Sequence, residues 1–406
     1  QGSGTAITTG DNNTAIGRYS LRTTTTGGNN TALGRSALDQ ATTASENTAV
    51  GYNSLYANTT GTSNVAVGAN ALDANTTGNY NVGIGRHALT ASTTSEHVTG
   101  VGYYALGSNT TGYANTALGS NALVSNTTAG YNTAVGFDAL GDNTTGGWNT
   151  AFGESALATN TTATFNVGIG RKALYLNTTG GSNTAVGDVA LYSNTTGTLN
   201  TAVGYAALDA NTTASNNTAI GYNALTDNTT GANNTAVGES AGANITTGGY
   251  NTAVGNTSLF TNTTSSHSTA LGYGALYTNT GANNTAIGSN SLFANTTGTQ
   301  NVAVGYAALD ANTTGNYNTS VGKASLGANT TGVSNVAVGA STLDANTTGN
   351  YNVGIGNSAL GANTTADLNT AVGFGSLFLN TTGASNTAVG PYSLYVNTTG
   401  NNNIAV

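Results

Sequence analysis

The sequence predicts an all-β fold: a parallel β-solenoid of about 24 coils, with one coil per 17-residue repeat. Three observations predict it. The chain restates one phrase without interruption, as in "NTAVGYNSLYANTTGTS" (47–63) followed at once by "NVAVGANALDANTTGNY" (64–80). The phrase varies freely at some positions and hardly at all at others, with a period of two that suits a strand. Its 58 glycines and recurring Asn-Thr-Thr argue against a helix.

Counted from the Asn that opens "NTAVG", copies begin at Asn13, Asn30, Asn47, Asn64 and Asn81, and the register passes through Val98 and Ser268, where that Asn is replaced. It shifts once, by one residue, in "YTNTGANN" (277–284), which lacks a Thr, and resumes to Asn403, giving 24 starts with no spacer. The expected organisation is therefore one continuous array over residues 1–406. Both ends fall inside the phrase, as in a segment of a longer fibre.

Each position has its own restriction. The second residue is nearly always Thr or Val, which suit a pleated, half-buried surface. The third is only Ala, Gly or Ser, and the fourth is always apolar. The fifth is Gly in all 23 complete copies, which predicts a turn at positive φ. The ninth is Leu in 22 of 23. Leu55, Leu72, Leu106 and Leu157, with Val50, Val67 and Val135, are accordingly expected in the core. "NTTG" predicts a second corner built on residues that tolerate left-handed backbone, and the one deletion falls there. Two or three short strands per coil, stacked about 4.8 Å apart, would align each Asn with its counterparts in ladders. The one copy without the Leu has Gly242 instead, and carries Ile245 where Asn is usual. Ile245 is expected to turn inward and fill the gap.

The third position faces away from the fourth yet stays small. Another backbone must come close to it, either the opposite wall of the same coil or a neighbouring chain. With charged residues at 5% and no solenoid cap in view, the chain is expected to self-associate, with Ala49, Ala134 and Ala202 at a tight contact.

Several functions are disfavoured. The net charge of −8 includes no basic run to grip phosphates, so nucleic acid is not an expected partner. No apolar run approaches the roughly 18 residues of a membrane helix. Absent cysteine removes disulfides and zinc–thiolate sites. His87, His97 and His267 sit far apart and read as surface variants. Asp73, Asp209, Asp310 and Asp344 share the tenth position several coils apart, too distant for paired acid–base chemistry. The Gly-x-Gly of "VGIGRHAL" (82–89) is a repeat corner without the setting of a dinucleotide site, and the Gly-Gly-x-Gly-x-Asp calcium phrase is absent. No enzyme, metal or cofactor is expected.

Two outward features remain. "NTT" fits the N-glycan acceptor pattern at Asn58, Asn75, Asn109, Asn126, Asn143, Asn160, Asn177, Asn194, Asn211, Asn228, Asn262, Asn295, Asn312, Asn329, Asn346, Asn363, Asn380 and Asn397. A turn with an Asn ladder explains the same regularity without modification. Tyrosines such as Tyr52, Tyr56, Tyr103, Tyr205, Tyr273 and Tyr306 occupy surface positions, where they can stack on sugars, sit in an interchain contact or simply suit strands.

"NTAVG–x–x–A–L", followed by a Gly turn and a new "NTAVG", resembles the head repeats of trimeric autotransporter adhesins of Gram-negative bacteria. The resemblance covers essentially the whole chain and implies a left-handed parallel β-roll with three chains side by side. This repeat is longer than the family's usual one by its "NTT" segment. Similar phrases occur in phage tail fibres. The functional expectation is an extracellular, cell-surface structural fibre or adhesin shaft. Its partners would be further copies of itself, with glycans or a host or abiotic surface as ligands. A phage tail-fibre segment is the alternative. An ice- or glycan-binding solenoid is the third reading, disfavoured for ice because the two Thr of "NTT" are adjacent and point to opposite sides.

Overall fold

The computed structural model of the chain describes residues 2–406. It contains β-strands and turns without any helix, and its described residues form twenty-four short strands, from Thr14–Ile16 to Ile404–Ala405. The chain divides into two compact units, Gln1–Asn200 and Thr201–Val406, each a β-solenoid of the same coil.

Within each unit the strands pair parallel and in register. Thr48, Ala49 and Val50 lie beside Val65, Ala66 and Val67, and Thr235, Ala236 and Val237 lie beside Thr252, Ala253 and Val254. Each complete coil from Asn13 onward holds one three-residue strand rather than the expected two or three, and the last strand, Ile404–Ala405, has two residues. The rest of the coil is nevertheless hydrogen-bonded to its neighbours. Leu55 N–H donates to Ala71 O at 3.0 Å, Ala57 to Asp73 O at 2.9 Å, Thr59 to Thr76 O at 2.9 Å and Ser63 to Ser45 O at 3.1 Å. Backbone groups that would be orphaned in a lone turn are thereby satisfied by the coils on either side.

The core differs from the sequence expectation in one respect. The ninth-position leucines, Leu55, Leu72, Leu106 and Leu157 among them, are fully buried as expected. Val50, Val67 and Val135 are not core residues: they are half-buried and point outward. It is the third position that faces in, with Ala49, Ala134 and Ala202 fully buried. A methyl added at Gly83 would lie 3.1 Å from Leu72 Cγ, and one at Gly168 would lie 3.3 Å from Leu157 Cδ1. The third position thus sits on the leucine of the preceding coil, across a narrow interior. Its restriction to small residues comes from the opposite wall of the same chain, and the neighbouring-chain reading of Ala49, Ala134 and Ala202 is corrected.

The turn at the fifth position is as expected, with φ between 116° and 142° at glycines from Gly17 to Gly390. The second corner is not. The left-handed residues lie at the seventh, ninth and seventeenth positions, for example Asn53 (φ 55°), Leu55 (φ 50°) and Ser63 (φ 56°), whereas the Asn, Thr and Gly of "NTTG" keep negative φ. A leucine held left-handed costs on the order of 1 kcal/mol. Burying its side chain returns about 1.5–3 kcal/mol, and repetition makes the choice cooperative between coils.

The irregular copies obey the same logic. Ile245 is 1% exposed, and its Cδ1 would lie 3.0 Å from a methyl placed on Gly242, so it does turn inward into the space of the absent leucine. Where the deleted Thr shortens the coil, Thr269 still pairs with Thr285 and Thr285 with Val302, so the loss is absorbed in the corner and the strand register survives.

Candidate interaction faces

Two columns of asparagine run through the interior. The first-position amide accepts from the next coil's backbone and donates across its own coil: Asn64 N–H to Asn47 Oδ1 at 3.0 Å, and Asn47 Nδ2 to Gly61 O at 2.9 Å. The "NTT" asparagines form the second column. Asn75 Nδ2 donates to Asn58 Oδ1 at 2.8 Å and to Gly78 O at 3.1 Å, and the same pattern links Asn126 to Asn109, and Asn312 to Asn295. From Asn58 to Asn380 these side chains are fully buried. The acceptor reading is corrected for them: in the folded coil the amide nitrogen that a glycan would occupy is inside and donates to a carbonyl of its own coil, as from Asn58 to Gly61 O, and also to the preceding Asn where there is one, as from Asn75 to Asn58. Asn397, in the last coil, is half-buried with the same two bonds. The ladder's breaks confirm its rule. Asn75 Oδ1 and Asn228 Oδ1 are buried without a hydrogen-bond partner, and the next coils carry Ser92 and Ile245 in place of the donating Asn.

The outward face of the strands is the most uniform surface. Its second-position column is Thr or Val, with Ile404 last, and its fourth is Val, Ile or Leu, with one Phe. None of the seven Lys/Arg or fifteen Asp/Glu residues occupies either column. Ile16 is 59% exposed and Phe152 56%, and Leu33, Leu118 and Leu271 are also exposed.

The aromatic side chains form separate columns. Tyr131, Trp148 and Phe165 stack in series with centroids 5.4 Å apart, and Tyr205 stacks on Tyr222 at 5.3 Å. Ring faces in such a stack cover one another, so these columns offer edges rather than faces. Tyr52, Tyr103, Tyr273 and Tyr306 are exposed as expected, and Tyr56 is half-buried. Each histidine stacks on a tyrosine of an adjacent coil: His87 on Tyr104, His97 on Tyr80 and His267 on Tyr250.

The tenth-position aspartates are not brought together. Burial holds the carboxyls of Asp209, Asp310 and Asp344 above the usual carboxylate range, while a hydrogen bond from the Thr226 hydroxyl at 2.7 Å pulls Asp209 the other way. Among the described residues no group of three His, Cys, Asp or Glu is placed to hold a metal ion, and no helix is long and apolar enough to cross a membrane. No protein-family model matches the chain, and no curated protein matches it.

Proposed function

We propose that the chain forms an extracellular structural fibre or adhesin shaft, whose copies associate through the outward faces of their strands. The observation that carries this reading is the absence of any charge from two outward columns of half-buried to exposed β-branched and apolar side chains. Monomeric proteins rarely leave a contiguous apolar patch larger than a few hundred Å² exposed. No charged side chain interrupts this one. The thirteen strands of the second unit, each about 10 Å long and about 4.8 Å apart, present roughly 600 Å², close to the 800 Å² per partner of a stable interface. The occupant that fits is a second copy, because an uncharged array of Thr and Val is complementary to itself. The resemblance of the repeat to autotransporter heads supports the extracellular setting, and a phage tail fibre would rest on the same physics. Ice is less well served, since Phe152 beside Val135 and Ile169 breaks the evenness a lattice would need.

Placing Lys at Val237, Val254 and Val304 tests the reading. The parent should sediment as an oligomer at micromolar concentration and the triple variant as a monomer with an unchanged circular-dichroism spectrum. A monomeric parent, or a variant that still assembles, would overturn it.

A further inference from the structure

Three of the seven cationic residues of this acidic chain lie in its first two coils, at Arg18, Arg22 and Arg35. Arg22 and Arg35 line one cleft, and Arg18 lies against its Tyr19 wall. Tyr19 and Arg22, then Arg35, Ser36 and Asp39, then Tyr52, Asn53 and Tyr56 come from three successive coils and line a cleft of about 450 Å³. They occupy the sixth, seventh and tenth positions of the repeat, which the turn places on one side of the coil.

The charges are ordered. Arg22 Nε contacts Asp39 Oδ1 at 2.8 Å, and Asp39 is buried. This ion pair holds the guanidinium beside the carboxylate by charge, and Asp39 Oδ1 accepts no hydrogen bond from it. Arg22 also lies 5.1 Å from the centre of the Tyr19 ring, and Arg18 lies 4.5 Å from it. Arg35 is exposed, has no ion-pair partner among the described residues and stands 5.7 Å from the centre of the Tyr52 ring. Two arginines against one aspartate leave the lining with a net positive charge.

We propose that this cleft binds a carboxylate-bearing saccharide. The volume falls within the 300–1,000 Å³ of small-ligand sites. A planar guanidinium fork matches a carboxylate with two parallel hydrogen bonds. Tyrosine rings supply the apolar face on which the C–H side of a sugar ring rests, and their hydroxyls supply polar tips. Ser36 and Asn53 add a hydroxyl and an amide for the sugar's own hydroxyls. A small inorganic anion would use the arginines and leave the aromatic walls idle. The proposal gives the adhesin part of the preceding reading a ligand, and rests on that reading only for its biological setting. It involves no strand-face residue, so the two fail independently.

The test uses the full chain and calorimetric titration with trigalacturonic acid, its carboxyl-reduced neutral counterpart and inorganic phosphate. The acidic trisaccharide should bind at least about tenfold more tightly than the neutral one, as expected for loss of a charge-assisted pair. Arg35→Gln, at an exposed site away from the Asp39 pair, should weaken the acidic sugar by a similar factor while melting like the parent. Tyr52→Ala should weaken both sugars. Equal binding of the two sugars, phosphate binding as tightly as the acidic sugar, no binding at millimolar concentration, or an Arg35→Gln variant that binds like the parent would each overturn the proposal.

Discussion

Gly153→Ala should destabilise its unit by about 3 kcal/mol or more, far beyond an ordinary Gly-to-Ala exchange. Gly153 sits at φ 138°, a conformation essentially reserved for glycine. An added methyl would also lie 2.4 Å from Gly170 O and 2.6 Å from its carbonyl carbon, so it meets backbone of the next coil rather than a flexible side chain. Moving that backbone disturbs Gly170 in turn, whose own methyl position is filled by Gly187 O at 2.3 Å. Gly146→Ala is the matched control. Its methyl would lie 2.2 Å from Ala163 O, but its φ is not left-handed, and Ala129 and Ala163 already occupy the same repeat position in neighbouring coils. It should change stability by less than about 1 kcal/mol, the size of an ordinary helix or loop glycine exchange. Urea unfolding followed by circular dichroism separates the two, and equal effects would mean the fifth-position turn is not the constraint described here.

Leu157→Asp should be comparably severe. The leucine is fully buried, its neighbours across the coil are small, and the asparagine amides nearby are committed to one another. An aspartate there loses the burial of the leucine and brings a carboxylate into an interior that offers it no cation, a cost of several kcal/mol even if it enters protonated. Leu157→Ala removes only the apolar volume and should cost about 2–5 kcal/mol. The coil at Gly242 shows how the chain tolerates the loss, since Ile245 fills the space at the expense of an unpartnered Asn228 oxygen. Thermal melting of the two Leu157 variants checks the order, and an Asp variant that melts with the parent would place this leucine outside the core.

Much of the fold was legible because repetition turns one sequence into a column of comparisons. Gly at the fifth position and Leu at the ninth announced a turn and a core, and both are there. The misreading was which side of the strand faces in. A period of two defines two faces and is silent on which is buried, and apolarity favoured Val50 over Ala49. The decisive signal was range of size. The fourth position admits Phe152, whereas the third never exceeds Ala or Ser, which only a crowded interior enforces. The left-handed Leu55 was not legible, because single-residue preference assigns that conformation to Asn and Gly, and stacking between coils overrides it. The arginine cleft was hidden for a different reason. Its residues are scattered among variable positions along the chain, and converge only when the copies are laid one on another.

The absence of cysteine from the chain allows the central assignment, small residues inside and the fourth position outside, to be read directly from single cysteines at adjacent positions. Ala151 is fully buried and Phe152 is 56% exposed. In dilute solution a thiol-reactive maleimide should label Phe152→Cys at once, and should reach Ala151→Cys only after denaturant opens the coil. Rapid labelling at position 151 with protection at 152 would invert the strand, and with it both the core and the face through which copies are proposed to meet.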